Sequence, residues 1–209
     1  MKSFDIITEA DARVLEIGSS VVLKPGGHVT PLAADTLKAR RITVMSGVAE
    51  ASLDGLAPVA DIKSIAIGSD HSGVALKARL RDHLRQRGLS VLDVGTDGAD
   101  PVDYPDIAAQ VGRLVARKEV DAAIVIDGAG LGSAIAANKI DGVRAAMCTD
   151  QTLARYAREH NGANVLALGA TLVSVEEAKS IVDTWLGTPM GEARYLRRLA
   201  KIRALEKTQ

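Results

Sequence analysis

The stretch Ala122-Ala123-Ile124-Val125-Ile126-Asp127-Gly128-Ala129-Gly130-Leu131-Gly132-Ser133 constrains this chain more than any other. An apolar run ends in a single carboxylate, glycine then recurs at every second position, and Ala134 to Lys139 follows with helical composition. Such a pattern reads as a buried strand, a tight turn and a helix start. Glycines let backbone amides crowd an anion, and a helix N-terminus adds partial positive charge. Asp127 closes the strand and faces that turn. Its role decides what the chain does.

The same strand–helix rhythm runs from Lys63 onward. Strands are expected over 64–68, 90–94, 122–126, 142–148 and 164–168, and helices over 73–87, 106–118, from 133, 149–160 and 174–186. Alternation of this kind predicts an α/β fold with a doubly wound parallel sheet of five strands. Aromatics are scarce, with one Phe, one Trp and three Tyr, so Ala, Val, Leu and Ile must build the core. That composition suits helices packed on a parallel sheet. The basic segment 190–207 is expected to be a C-terminal helix.

Residues 1–50 read as a small N-terminal extension. It holds a strand over 19–23, a turn at Pro25-Gly26-Gly27, a helix over 32–41 introduced by Thr30 and Pro31, and a strand over 41–45. The extension is too small to hold a large core alone. Residues 51–62 are assigned to a linker and 63–209 to the main domain. Lys plus Arg and Asp plus Glu both number 26, so no net field favours nucleic acid or an anionic membrane. No run reaches the roughly 18 apolar residues of a membrane span. The single cysteine, Cys148, excludes an internal disulfide and reads as a core residue. The start of the chain shows no secretory pattern, so a reducing cytoplasm is the expected home.

Several motifs together resemble one family. They are Gly68-Ser69-Asp70-His71-Ser72-Gly73, Asp103-Tyr104-Pro105, Asp127 to Gly132 with Ile135 to Lys139, and Gly142-Val143-Arg144-Ala145. Arg158-Glu159-His160-Asn161, Ala163 to Leu166 and Arg194 to Arg198 continue the series. Residues 64–206 resemble the type B ribose-5-phosphate isomerases and galactose-6-phosphate isomerase subunits. The resemblance implies a flavodoxin-like sheet and a homodimer, or higher homo-oligomer, with active sites shared between subunits. It also implies interconversion of phosphorylated aldoses and ketoses without metal or cofactor. In the N-terminal part, Ile6 to Arg13 and Val29 to Ala34 resemble the leading segment of ethanolamine-utilisation cobalamin adenosyltransferases and of microcompartment-associated enzymes. On that likeness residues 1–50 are a docking or assembly element for a bacterial microcompartment, or else a small extension that stabilises the dimer.

Aldose–ketose isomerisation moves a proton between adjacent carbons through an enediolate. It needs a base, oxyanion donors, a ring-opening acid/base and a phosphate anchor. The amides of Gly128, Ala129, Gly130, Leu131 and Gly132 suit the oxyanion. In the family a cysteine usually stands at the place of Asp127, and one branch uses a glutamate at the place of Ser133. Asp127 is therefore either the base, with burial expected to raise its pKa, or a ligand for a sugar hydroxyl, or the mark of a subunit that has lost catalysis. By resemblance His160 opens the ring and Asn161 bonds a sugar hydroxyl. Asp70 and His71 meet the sugar and phosphate ends, Tyr104 lines the pocket, and Arg194 with Arg198 grips phosphate, a task suited to guanidinium groups. Ala129, Thr171 and Tyr195 replace the family's usual threonine, arginine and histidine. Ribose 5-phosphate with ribulose 5-phosphate is the default pair, and tetrose or hexose phosphates are the variants. The competing reading is a non-catalytic or partner-dependent subunit of a heteromeric isomerase or assembly.

Overall fold

The computed structural model describes residues 2–46, 55–190 and 193–206. The chain divides into two compact units, one of residues 1–57 with 191–209 and one of residues 58–190. This differs from the boundary expected from sequence, because the C-terminal helix groups with the N-terminal residues. Part of the expected linker, residues 51–54, lies outside the described residues.

The smaller unit contains β1 (Ser3–Ile7), α1 (Glu9–Val14), β2 (Ser20–Val29), α2 (Pro31–Ala39), β3 (Thr43–Ser46) and the C-terminal helix α8 (Ala193–Glu206). Its sheet is parallel throughout, in the order β1-β2-β3. Thr8 caps α1 reciprocally: its hydroxyl accepts from the Asp11 amide, while the Asp11 carboxylate accepts from the Thr8 amide at 2.9 Å. Ile7, Ala12, Leu15, Val21, Leu23, Ala33, Leu37 and Ile42 form the core beneath α1 and α2. The turn expected at Pro25-Gly26-Gly27 is instead an irregular stretch within β2. The chain does not reverse there, and pairing with β1 resumes at His28. A side chain at Gly27 would run into the Asp5 carbonyl, so glycine allows the strands to stay in contact.

In the larger unit the order is β4 (Ser64–Ser69), a 3-10 turn (His71–Gly73), α3 (Val74–Gln86), β5 (Ser90–Gly95), α4 (Tyr104–Ala116), β6 (Ala122–Asp127), α5 (Leu131–Ala137), β7 (Ala145–Met147), α6 (Gln151–Glu159), β8 (Val165–Gly169) and α7 (Val175–Gly187). Five parallel strands lie in the order β5-β4-β6-β8-β7. One face carries Ile65, Ile67, Leu80, Ile124, Ile126, Leu166 and Trp185, the other Ala66, Val111, Ala123, Val125 and Ala167. Helices on both faces of a parallel sheet give the flavodoxin-like three-layer arrangement.

The last two strands exchange places relative to chain order. β8 is buried at all five residues and takes the inner position, while the three-residue β7 is the edge. A short strand is the safer one to leave at a sheet edge. The exchange sets β8 directly beside β6, and the loop after β8 therefore abuts the turn after Asp127.

Candidate active site

β4 and β6 are adjacent, and the chain leaves β4 toward β5 on one side before returning to β6 on the other. Ligands of doubly wound sheets bind outside the carboxyl ends of strands at such a switch point. Asp70 follows β4 and Asp127 ends β6.

Asp70 is buried, and one of its oxygens accepts from the Ser72 amide (2.9 Å), the Ser72 hydroxyl (2.6 Å) and the Gly73 amide (3.2 Å). Its own amide donates to the Ile126 carbonyl, which joins the two strand ends. Ser72 stands beside the glycine turn, since a Cβ at Gly128 would lie 3.6 Å from its hydroxyl. Tyr104 begins α4, and its ring lies against Gly132, where a Cβ would approach to 2.5 Å. His71 accepts at Nδ1 from the Val102 amide at 3.4 Å, tying the loop after β5 to the 3-10 turn. Asp70, His71, Tyr104, Asp127 and Gly128 to Gly132 thus come to one end of the sheet.

Asp127 is 5% exposed and turns its carboxylate back into the glycine turn. Oδ1 accepts from the amides of Ala129 (2.8 Å) and Gly130, and Oδ2 from the amide of Ser133 (2.9 Å). Two of the amides assigned to the oxyanion are therefore committed to Asp127. Among the described residues, the amides of Gly128, Leu131 and Gly132 have no hydrogen-bond partner. The expected upward shift of the Asp127 pKa is also corrected. Burial does push it up, but the neighbouring Ser133 hydroxyl and the amides of Gly130, Ser133 and Ala129 outweigh burial and hold the carboxyl below its ordinary value.

The loop after β8 closes this turn from the side. The Ala170 amide donates to the Asp127 carbonyl at 2.8 Å, and the Thr171 amide and hydroxyl donate to the Gly128 carbonyl at 3.0 and 2.7 Å. Thr171 is thus a clamp on the turn. A side chain at Gly169 would meet the Ala129 backbone at 2.7 Å, and one at Gly130 would meet the Leu168 carbonyl carbon at 2.8 Å. Gly130 also has a φ of 76°, where other residues are strained. Sequence reasoning missed Ser72 and Gly169. The available signals were the Asp-x-Ser cap and the glycine that stops an apolar strand.

His160 and Asn161 do not join the cluster within one chain. α6 starts after the carboxyl end of β7 and returns to the amino end of the sheet, a nine-residue path of about 13 Å. His160 ends that helix, stacks on Tyr156 with ring centroids 4.7 Å apart, and holds Nε2 3.7 Å from a Glu159 oxygen. Asn161 donates to the Tyr156 carbonyl at 3.4 Å. The loop that follows is braced by two arginines: Arg144 donates to Gly162, and buried Arg158 donates to the carbonyls of Ala163 and Val59. Arg144 is accordingly a packing residue at the sheet end opposite Asp127. Arg194 and Arg198, the arginines expected to meet phosphate, belong to α8 of the smaller unit. The Arg194 side chain lies outside the described part, and the exposed Arg198 places its guanidinium 5.7 Å from the centroid of Tyr195.

A three-layer α/β unit with two buried carboxylates at its switch point, one inside a glycine-rich turn, defines a ligand-binding protein of the doubly wound class. Residues 65–202 match the Ribose/Galactose Isomerase family. Ribose-5-phosphate isomerase B of Escherichia coli is 46% identical over 145 residues, which cover 69% of this chain and 97% of that protein. D-erythrulose-4-phosphate isomerase of Pectobacterium atrosepticum is 42% identical over 125 residues, 59% of this chain and 82% of the relative. The structure of ribose-5-phosphate isomerase B from Clostridium thermocellum superposes with a TM-score of 0.69 at 49% identity, covering 69% of this chain and 98% of that one. The chain belongs to the Ribose/Galactose Isomerase family.

Proposed function

We propose that the chain interconverts a phosphorylated aldose and its ketose through an enediolate, with Asp127 moving the proton between the two carbons. The observation that carries this is the seating of Asp127 at the switch point. A carboxylate offers about four acceptor positions. Three amides take three of them, and the fourth, on Oδ2 beside the Ser133 hydroxyl, is the one assigned to a substrate proton. A carboxyl held below its ordinary pKa stays ionised at neutral pH, ready to accept. It is also an intrinsically weaker base, so the transition state relies on oxyanion donors, a role assigned to the Gly128, Leu131 and Gly132 amides.

Asp70 is assigned to a sugar hydroxyl, His71 with Arg194 and Arg198 to phosphate, and Tyr104 to the pocket wall. His160 and Asn161 are assigned to the site of a second copy, because their own chain carries them to the far end of the sheet. Leu131 and Ile135, four residues apart on α5 beside the turn and both exposed, offer apolar surface for that copy. A homodimer with shared sites satisfies both observations. Ribose 5-phosphate is the first substrate to test, and the erythrulose-phosphate relative keeps four-carbon sugars in the panel. The reading as a non-catalytic subunit is disfavoured by relatives that match across nearly their whole length and carry isomerase names. Residues 1–50 are assigned to docking inside a bacterial microcompartment of the cytoplasm; Val14, Ile17 and Leu32 are exposed there.

The test is incubation of the full-length protein with four-, five- and six-carbon aldose phosphates in deuterated water. Isomerisation with deuterium at the carbon next to the carbonyl is the expected result. Silence across the panel would overturn the assignment.

A further inference from the structure

The small sheet has two covered faces. Val21, Leu23 and Val44 point to the core beneath α1 and α2. Strand alternation puts Val22 and Met45, which are register partners, on the opposite face. Both are fully buried, at 0% and 1% exposure, yet neither belongs to that first core. α8 is in contact with β3, and its buried residues Tyr195 and Leu199 are one helical turn apart. The parallel sheet therefore carries a helical layer on each side, the second supplied by the other end of the chain. Arg198 stands over the ring of Tyr195 at 5.7 Å, within cation–π range.

We propose that the N-terminal unit is the positioning base of α8: the Val22–Met45 face seats Tyr195 and Leu199, and Tyr195 orients Arg198 for phosphate. The inference rests on the reading that Arg198 binds the substrate's phosphate. It gives the extension a part in substrate binding, whatever else docks to it. It also accounts for the aromatic residue at position 195: a ring that is buried on one side can still present a π face to a guanidinium.

The experiment uses the full-length protein and reads KM, kcat and competitive inhibition by inorganic phosphate. Tyr195→Leu keeps apolar bulk against the sheet and removes the ring. It is expected to weaken phosphate inhibition about two- to fivefold, the factor of an exposed cation–π contact. Met45→Ala, which loosens the seat without touching α8, is expected to move inhibition and KM in the same direction with a smaller change in kcat. Tyr195→Phe, which keeps the ring, is expected to stay nearer the wild-type values than Tyr195→Leu. The pair Tyr195→Leu with Arg198→Ala should be no weaker than Arg198→Ala alone, because both act through one contact. If Arg198→Ala leaves phosphate inhibition unchanged, the phosphate role of α8 is wrong. If Arg198→Ala weakens it while Tyr195→Leu and Met45→Ala do not, or their effects add to it, the positioning role is overturned. Should Tyr195→Leu fail to fold, Met45→Ala with the Arg198→Ala cycle decides the matter.

Discussion

Replacing Asp127 with asparagine keeps the side chain's volume but removes its charge and one acceptor oxygen. The amide oxygen can still accept from Ala129 and Gly130, though as a neutral acceptor. Hydrogen bonds to charged groups contribute about 1.5–3 kcal/mol against 0.5–1.5 for neutral ones, so these two contacts lose about 1 kcal/mol each. The NH2 group then faces the Ser133 amide, donor against donor, and a buried donor left unsatisfied costs about 1–3 kcal/mol. Burying a neutral amide in place of a carboxylate offsets part of this, leaving a destabilisation of about 2–4 kcal/mol. Urea unfolding at neutral pH measures it. Because the folded carboxyl is held below its ordinary value of 3.8, the wild type's advantage is fully present above that value. It shrinks as pH falls through the still lower folded pKa. An asparagine variant as stable as wild type, or an advantage that grows on acidification, would refute the account of the turn. In the same protein, loss of the base should lower kcat by about 10²–10⁴. Unchanged turnover with unchanged deuterium incorporation would sink the base role while leaving the structural one intact.

Further outcomes follow from the same geometry. Gly130→Ala combines a positive φ with a Cβ 2.8 Å from the Leu168 carbonyl carbon, and should cost at least about 2 kcal/mol in urea unfolding. Asp127→Cys, if it retains turnover, should move the acid limb of kcat/KM from below about pH 4 toward the thiol range, several units higher. Cys148 is buried, and burial, with Asp150 nearby, pushes its thiol up to about 12. A disulfide reagent should therefore label it only in denaturant, and rapid labelling of the native protein would contradict its burial. Mixing inactive Asp127→Asn and His160→Ala proteins should restore up to about a quarter of wild-type activity, because half the re-formed dimers carry one intact site. No recovery after subunit exchange would count against shared sites.

Much of the larger unit was legible because its signals are local. Apolar runs such as Ala122–Ile126 and Asn164–Leu168 mark buried strands, and Gly88 and Gly187 bound helices. The carboxylate-then-glycine grammar located the switch-point turn correctly. What the pattern could not convey was the direction in which the Asp127 carboxylate points. Burial alone predicts a raised pKa, and the Ser133 hydroxyl with the amides of Gly130, Ser133 and Ala129 reverses the sign. The exchanged order of β7 and β8 was equally silent, since which strand lies inside depends on packing against β6. β1 and α1 escaped notice because Ser3–Ile7 is short and half-exposed, with no clean alternation.

By itself the sequence determined the alternating α/β architecture and the family, and it named the candidates for carrying isomerase chemistry. Those follow from periodicity, turn residues and motif spacing, all of which are properties of neighbouring positions. Tertiary structure decided the rest. Asp70, Tyr104 and the glycine turn meet because three loops leave one end of a twisted parallel sheet. His160 lies at the opposite end of the strands because α6 must run back along the sheet. The C-terminal helix joins the N-terminal sheet because Val22 and Met45 need a partner on the face that α1 and α2 leave open. Apolar surface is buried against whatever fold brings near, however far apart the residues lie along the chain.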